Sequence, residues 1–117
     1  MSYKRFSLRS GHRNLMLKNI TTSLFKYGKI KTTECKAKEV KRIADKIITL
    51  GKRGKNDLHS IRQVLSYLTD EDVVMKKVFD EYAKKYADRK GGYTRIIKSG
   101  YRKGDSAKMA ILELIDL

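Results

Sequence analysis

An α+β fold, with about four helices packed on a small two- or three-stranded sheet, a basic N-terminal arm and a basic glycine-rich hairpin finger, is what this sequence predicts. Three patterns lead to it. Between Gly11 and Tyr86, apolar residues recur at spacings of three and four in four separate stretches, the period of a helix face. Near the end, Tyr93–Lys98 and Met109–Ile115 read as strands, and in the second of these Ala110, Leu112 and Leu114 alternate with Met109 and Ile111. Between them the chain is punctuated by Gly100 and Gly104 among Lys98, Tyr101, Arg102 and Lys103, which makes a turn rather than a core element.

A length of 117 residues predicts one domain over 1–117, with residues 1–10 as an arm and 11–117 as the body. The first ten residues show no sustained period and carry Lys4, Arg5 and Arg9. A helix follows over about Gly11–Tyr27, with Leu17, Ile20, Leu24 and Tyr27 on its apolar face, Lys18, Thr22 and Lys26 on the other side, and Gly28 as its left-handed stop. Lys29–Thr32 is short and β-branched, a brief strand, and Thr32 or Thr33 caps a second helix over Glu34–Leu50. Val40, Ile43, Ala44 and Ile47 form the stripe of that helix. The basic turn Gly51–Lys55 suits either phosphate or the helix dipole, and spacing does not separate the two.

Asn56 or Asp57 caps a third helix whose stripe is Leu58, Ile61, Leu65 and Leu68. Thr69 and Asp72, at capping-box spacing, open a fourth that buries Met75, Val78, Phe79, Tyr82 and Tyr86. Five of the 13 acidic residues fall at Asp70, Glu71, Asp72, Asp80 and Glu81, so this helix is expected to face solvent or a basic protein neighbour. Glu113 interrupts the alternation of the last strand and suggests an edge, and the ten residues between the two strands suggest a flexible finger.

Charge points to a partner. The chain has 28 Lys and Arg against 13 Asp and Glu, a net charge of +15, which calls for a polyanion. Eight of the basic residues precede Glu34, and six more fall between Arg89 and Lys103 with no acidic residue among them. Cations for phosphates, Tyr93 and Tyr101 for bases or sugars, and glycines for close backbone approach describe a nucleic-acid contact. No apolar run approaches the ~20 residues of a membrane span. The lone Cys35 excludes an internal disulfide and fits a reducing, cytoplasmic setting; with no histidine near it in sequence it reads as a small half-buried residue rather than a nucleophile. His12 and His59 lack metal-site spacing, and Gly91, Gly92 and Gly104 match no phosphate-loop motif, so neither a cofactor nor a metal is expected. No catalytic constellation is left, and an enzyme is not expected.

Three ordered blocks carry a resemblance. The first is His12-Arg13, followed by a helix with Lys18-Asn19 and Ser23-Leu24. The second is Ile30-Lys31-Thr32-Thr33, then Lys36-Ala37-Lys38-Glu39, closing with Ile48-Thr49-Leu50. The third is Gly91-Gly92-Tyr93-Thr94-Arg95-Ile96, then Lys98, Gly100, Arg102 and Gly104-Asp105, closing with Met109–Leu114. Over nearly its whole length the chain resembles the bacterial large-subunit ribosomal protein family numbered seventeen, departing from it in a shorter stretch before the His-Arg pair. The resemblance implies a structural constituent of the large ribosomal subunit that binds large-subunit ribosomal RNA near the rim of the nascent-chain exit tunnel, beside other ribosomal proteins. Neither a membrane nor a small-molecule substrate is implied, and no obligate homo-oligomer. The expected RNA-binding residues are Lys4, Arg5, Arg9, His12, Arg13, Lys18, Asn19, Lys31, Lys36, Lys38, Tyr93, Arg95, Lys98, Tyr101, Arg102 and Lys103. The alternative reading is a DNA-binding or nucleoid-associated basic protein, against which the chain shows neither a helix-turn-helix pattern nor a dimer seam.

Overall fold

The computed structural model describes residues 10–54 and 56–115. The first helix, α1, spans Ser10–Tyr27, and the Gly28 N–H closes it on the Leu24 carbonyl at 2.7 Å. Gly28 holds φ +87°, the left-handed geometry expected of the residue that stops this helix. Strand β1, Lys29–Thr33, leads directly into α2, Glu34–Gly51, whose first turn is capped where the Thr33 hydroxyl accepts from the Lys36 N–H. Helix α3, Leu58–Tyr67, is capped by Asp57, which accepts from Ser60 N at 3.2 Å and Ser60 Oγ at 3.0 Å. Those two bonds hold the Asp57 carboxyl below its usual range.

The next helix is capped by Asp70, not Thr69. The Asp70 carboxylate accepts from the N–H groups of Asp72 and Val73, while the Thr69 hydroxyl donates to that of Thr22 at 3.2 Å, away from its own helix. From Val73 to Tyr82 this helix is wound as a π-helix and continues into α-helical Ala83–Lys85, the two together making α4. The wider winding changes which residues it buries. Val73 and Val74 join Val78, Phe79 and Tyr82 in the core, and Met75 is only partly buried. The Tyr82 hydroxyl donates to the Phe25 carbonyl at 3.1 Å, and burial pushes its pKa up to about 12.

Strands β2, Thr94–Tyr101, and β3, Lys108–Leu114, complete an antiparallel sheet of order β1-β3-β2. β3 is therefore central. Glu113 lies between Lys29 and Arg95 rather than at an edge, and its carboxylate is met by Arg95 across the β2–β3 pair. The finger is also shorter than expected. Pairing persists through a bulge at Lys98–Gly100 to Tyr101↔Lys108, and the turn beyond is tied by Arg102 N–H to Ala107 O at 2.8 Å and Ser106 N–H to Arg102 O at 2.9 Å.

Helices α1 and α2 pack on one face of the sheet, α4 packs on α1 and α2 behind them, and α3 packs on α2. The core runs from Ala110 and Leu112 of β3 through Val40, Ala44 and Ile47 of α2 to Leu24 and Phe25 of α1 and Val74 and Val78 of α4. Three apolar assignments change. Tyr27 is exposed, and its place is taken by Phe25; Leu58 is exposed and Leu65 borders on it, because α3 turns Ser60, Val64 and the following Leu68 inward. Thr22, expected on the outer side of α1, is buried and bonds Thr69, and Cys35 is exposed rather than half-buried.

Candidate nucleic-acid interface

Antiparallel register decides which side chains share a sheet face. Ile30, Leu112 and Ile96 form one cross-strand row, with Leu112 fully buried against the helices. One residue along, the pleat turns Lys31, Ile111 and Ile97 to the opposite face, and two residues further Lys29, Glu113 and Arg95 join them. Lys29, Lys31, Arg95 and Ile97 are exposed, and the helices named above lie on the other face. Lys31 and Arg95 come from stretches more than sixty residues apart, yet one strand alone separates theirs, about 10 Å at ordinary strand spacing.

A second cationic group gathers at the start of α2. The Glu34 carboxylate receives Lys38 at 3.3 Å and Lys98 at 3.9 Å. The Lys38 hydrogen bond, with smaller contributions from Lys98 and Lys108, holds its carboxyl below the usual range. Lys38 and Lys98 are largely exposed, Lys36 is partly buried, and Tyr101 stands 68% exposed on the same hairpin. The hairpin turn adds exposed Arg102 and Lys103, although Asp105 already holds the Arg102 guanidinium through both Nε and Nη2.

Tyr93 has a different place from the one expected. Its ring is 1% exposed, packs against Tyr86 with centroids 5.3 Å apart, and its hydroxyl donates to the Arg89 carbonyl while accepting from Lys52 at 2.9 Å. No base can stack on a ring so enclosed, so on this hairpin Tyr101 is the aromatic presented to a partner. Lys52 is accounted for in the same stroke: its ammonium lies 5.1 Å from the Tyr93 ring centroid and bonds the Arg89 carbonyl, which makes it a strut rather than a phosphate contact.

Of the other expected residues, Lys4, Arg5 and Arg9 lie outside the described residues, and the backbone places His12 and Arg13 in the first turn of α1. Asn19 is exposed on α1, and Lys18 borders a groove between helices. Lys29 and Lys108 were missed. Alternation with Lys31 signals Lys29, while Lys108 depends on a strand register that its own sequence does not declare. Among the described residues there is no cluster of three or more metal-ligating side chains, and no helix is long and apolar enough to cross a membrane.

An uncovered sheet face edged by cations, joined to a basic hairpin, defines a class of small basic α+β proteins built to present charge on a rigid scaffold. The comparisons make it specific. Residues 16–115 match the family model of Ribosomal protein L17, and the chain belongs to that family. It is 58% identical over 115 residues to large ribosomal subunit protein bL17 of Moorella thermoacetica, an alignment covering 98% of this chain and 100% of the relative. The protein of the same name from Heliobacterium modesticaldum is 57% identical at the same coverage. That from Alkaliphilus metalliredigens is 61% identical over 106 residues, 91% of each chain.

Proposed function

We propose that the chain is a structural constituent of the large ribosomal subunit, working in translation in the cytoplasm, that binds and braces large-subunit ribosomal RNA beside neighbouring ribosomal proteins. Its family is one of structural proteins rather than enzymes. The observation that carries the RNA-binding surface is the register that sets Lys29, Lys31 and Arg95 on one open face of the sheet. Lysines there neutralise phosphates, Arg95 spans Glu113 and a phosphate with its remaining guanidinium nitrogens, and Ile97 and Ile111 give sugars an apolar rest. Lys36, Lys38, Lys98, Tyr101, Arg102 and Lys103 extend the contact around the hairpin, and Tyr101 stacks on an unpaired base. Lys4, Arg5 and Arg9, together with His12 and Arg13 of the first turn of α1, contact further RNA.

The test is binding of the full chain to refolded large-subunit ribosomal RNA over a salt series, with duplex DNA as competitor. Log affinity is expected to fall with log salt at a slope of several units, because each neutralised phosphate releases counterion. Lys31→Ala should reduce that slope by about one. A flat salt series, or equal displacement by duplex DNA, overturns the reading.

A further inference from the structure

The groove between α1, α2 and the C-terminal end of α3 has a volume of about 650 Å³, within the range of small-ligand sites, and the sheet-face reading leaves it unused. Its lining has an unusual division of charge. At the border stand three cations, Lys18, Arg42 and Lys46; inside is Glu39, 5% exposed. Among the described residues, the cation paired with that carboxylate is Arg42, its Nη1 at 3.8 Å, close enough for charge and too far for a hydrogen bond. Of the three hydroxyls in the wall, two are turned elsewhere, Thr21 donating to the Leu17 carbonyl at 2.7 Å and Ser66 to the Gln63 carbonyl at 2.6 Å. Among the described residues, nothing donates a hydrogen bond to Glu39, although buried carboxylates are ordinarily satisfied by donors.

The missing partner can be specified by chemistry. A phosphate entering the groove would meet the Glu39 charge, and a cationic ligand would have to pass three cations. What fits both is a neutral ring bearing hydrogen-bond donors on a chain whose negative charge stays at the border. Of the RNA bases, guanine alone presents two adjacent donors, N1–H and the N2 amine, matching the two oxygens of a carboxylate. Adenine and cytosine set a single amine beside a ring acceptor, and uracil flanks its one donor with two acceptors. Tyr67, with the Lys46 ammonium 5.5 Å from its ring centroid, and the aliphatic side chains of Leu17 and Ile43 supply apolar wall for a planar base.

We propose that this groove receives one unpaired guanine of the bound RNA, with Glu39 accepting from its N1–H and N2 amine and Lys18, Arg42 and Lys46 neutralising the flanking phosphates. The proposal rests on RNA binding as read above. The two are tested separately by titrating the full chain with guanosine, inosine, adenosine and cytidine 5′-monophosphates, following the amide resonances of Ser66 and Tyr67, and by measuring affinity for refolded large-subunit ribosomal RNA. Guanosine monophosphate should shift these resonances at concentrations at least fivefold below those needed for inosine monophosphate, which lacks the N2 amine, and Glu39→Gln should abolish that preference. The same substitution should weaken ribosomal RNA binding about tenfold.

Equal responses to all four nucleotides overturn the proposal and leave the sheet-face reading standing. So does wild-type affinity of Glu39→Gln for ribosomal RNA, even where the guanosine preference holds, since the groove would then serve a free nucleotide. The comparison of guanosine with inosine needs no variant, so a failure of Glu39→Gln to fold does not remove the test. Failure of the wild-type chain to bind ribosomal RNA sinks both readings.

Discussion

Gly51, at the end of α2, lies directly against Val78 of α4: a Cβ placed on Gly51 would sit 2.8 Å from Val78 Cγ1 and 3.1 Å from the Val78 carbonyl oxygen. Its absence lets the two helices meet at their backbones. At an unobstructed helical site, replacing Gly by Ala gains roughly 0.5–1 kcal/mol through reduced backbone entropy. Here the added methyl meets main-chain atoms that cannot rotate away. Gly51→Ala is therefore expected to destabilise by about 1–3 kcal/mol, the usual cost of overpacking. Thermal or urea unfolding followed by circular dichroism checks the sign, and a variant as stable as wild type would show that α4 shifts freely on α2.

That contact also marks what the sequence could and could not disclose. Gly51 reads as a helix terminator, and it does end α2, but its closeness to α4 belongs to packing between segments 27 residues apart. Helix periodicity located α1 and α2 closely because their stripes are long. It located α3 and its Asp57 cap but turned the wrong face inward, since in this short helix Leu58 and Leu65 advertise one face while Ser60, satisfied by Asp57, occupies the buried one. In α4 the π winding broke the assumed period. In the candidate interface, charge along the chain revealed the cations, whereas the register that unites Lys31 with Arg95 is a long-range property. Burial of Tyr93 was hidden for the same reason, since Tyr86 and Lys52 enclose it from distant positions.

Lys41 fastens the sheet to the helices. Its ammonium donates to the Thr94 carbonyl at 2.9 Å and the Thr94 hydroxyl at 3.1 Å and pairs with Asp45 at 3.2 Å, while the Thr94 hydroxyl donates to the other Asp45 oxygen. Lys41→Met keeps the aliphatic stem and removes every donor. Loss of charged hydrogen bonds to a buried strand end should cost about 1–3 kcal/mol. Urea denaturation should show a lower midpoint with an unchanged slope, together with faster amide exchange at the start of β2.

The two hairpin tyrosines should separate stability from binding. Tyr93→Ala removes a ring from the core and is expected to cost about 3–5 kcal/mol in unfolding free energy. Tyr101→Ala, at an exposed position, should stay within about 0.5 kcal/mol of wild type in stability while losing roughly 1–3 kcal/mol of affinity for ribosomal RNA. Parallel melting and filter-binding measurements decide it. An RNA affinity untouched by Tyr101→Ala would remove stacking from the proposed contact.

Asp105 restrains Arg102 within the hairpin turn. It accepts from Arg102 Nε at 3.0 Å and from the Ala107 N–H at 3.1 Å, and these bonds, the Arg102 one first, hold its carboxyl at about 2. Because the folded value lies below the ordinary 3.8, the stabilisation Asp105 gives the turn is complete above about pH 4 and disappears as pH falls through about 2. Carboxyl NMR should find that low midpoint, and Arg102→Ala should return it toward 3.8. The same pair restrains binding, since a phosphate reaching Arg102 must compete with Asp105. Asp105→Asn removes the competing charge and should raise RNA affinity at neutral pH, with a salt slope steeper by about one if Arg102 then engages a phosphate. An unchanged slope would mean that Arg102 serves the turn alone and that the RNA contact stops at Tyr101 and Lys103.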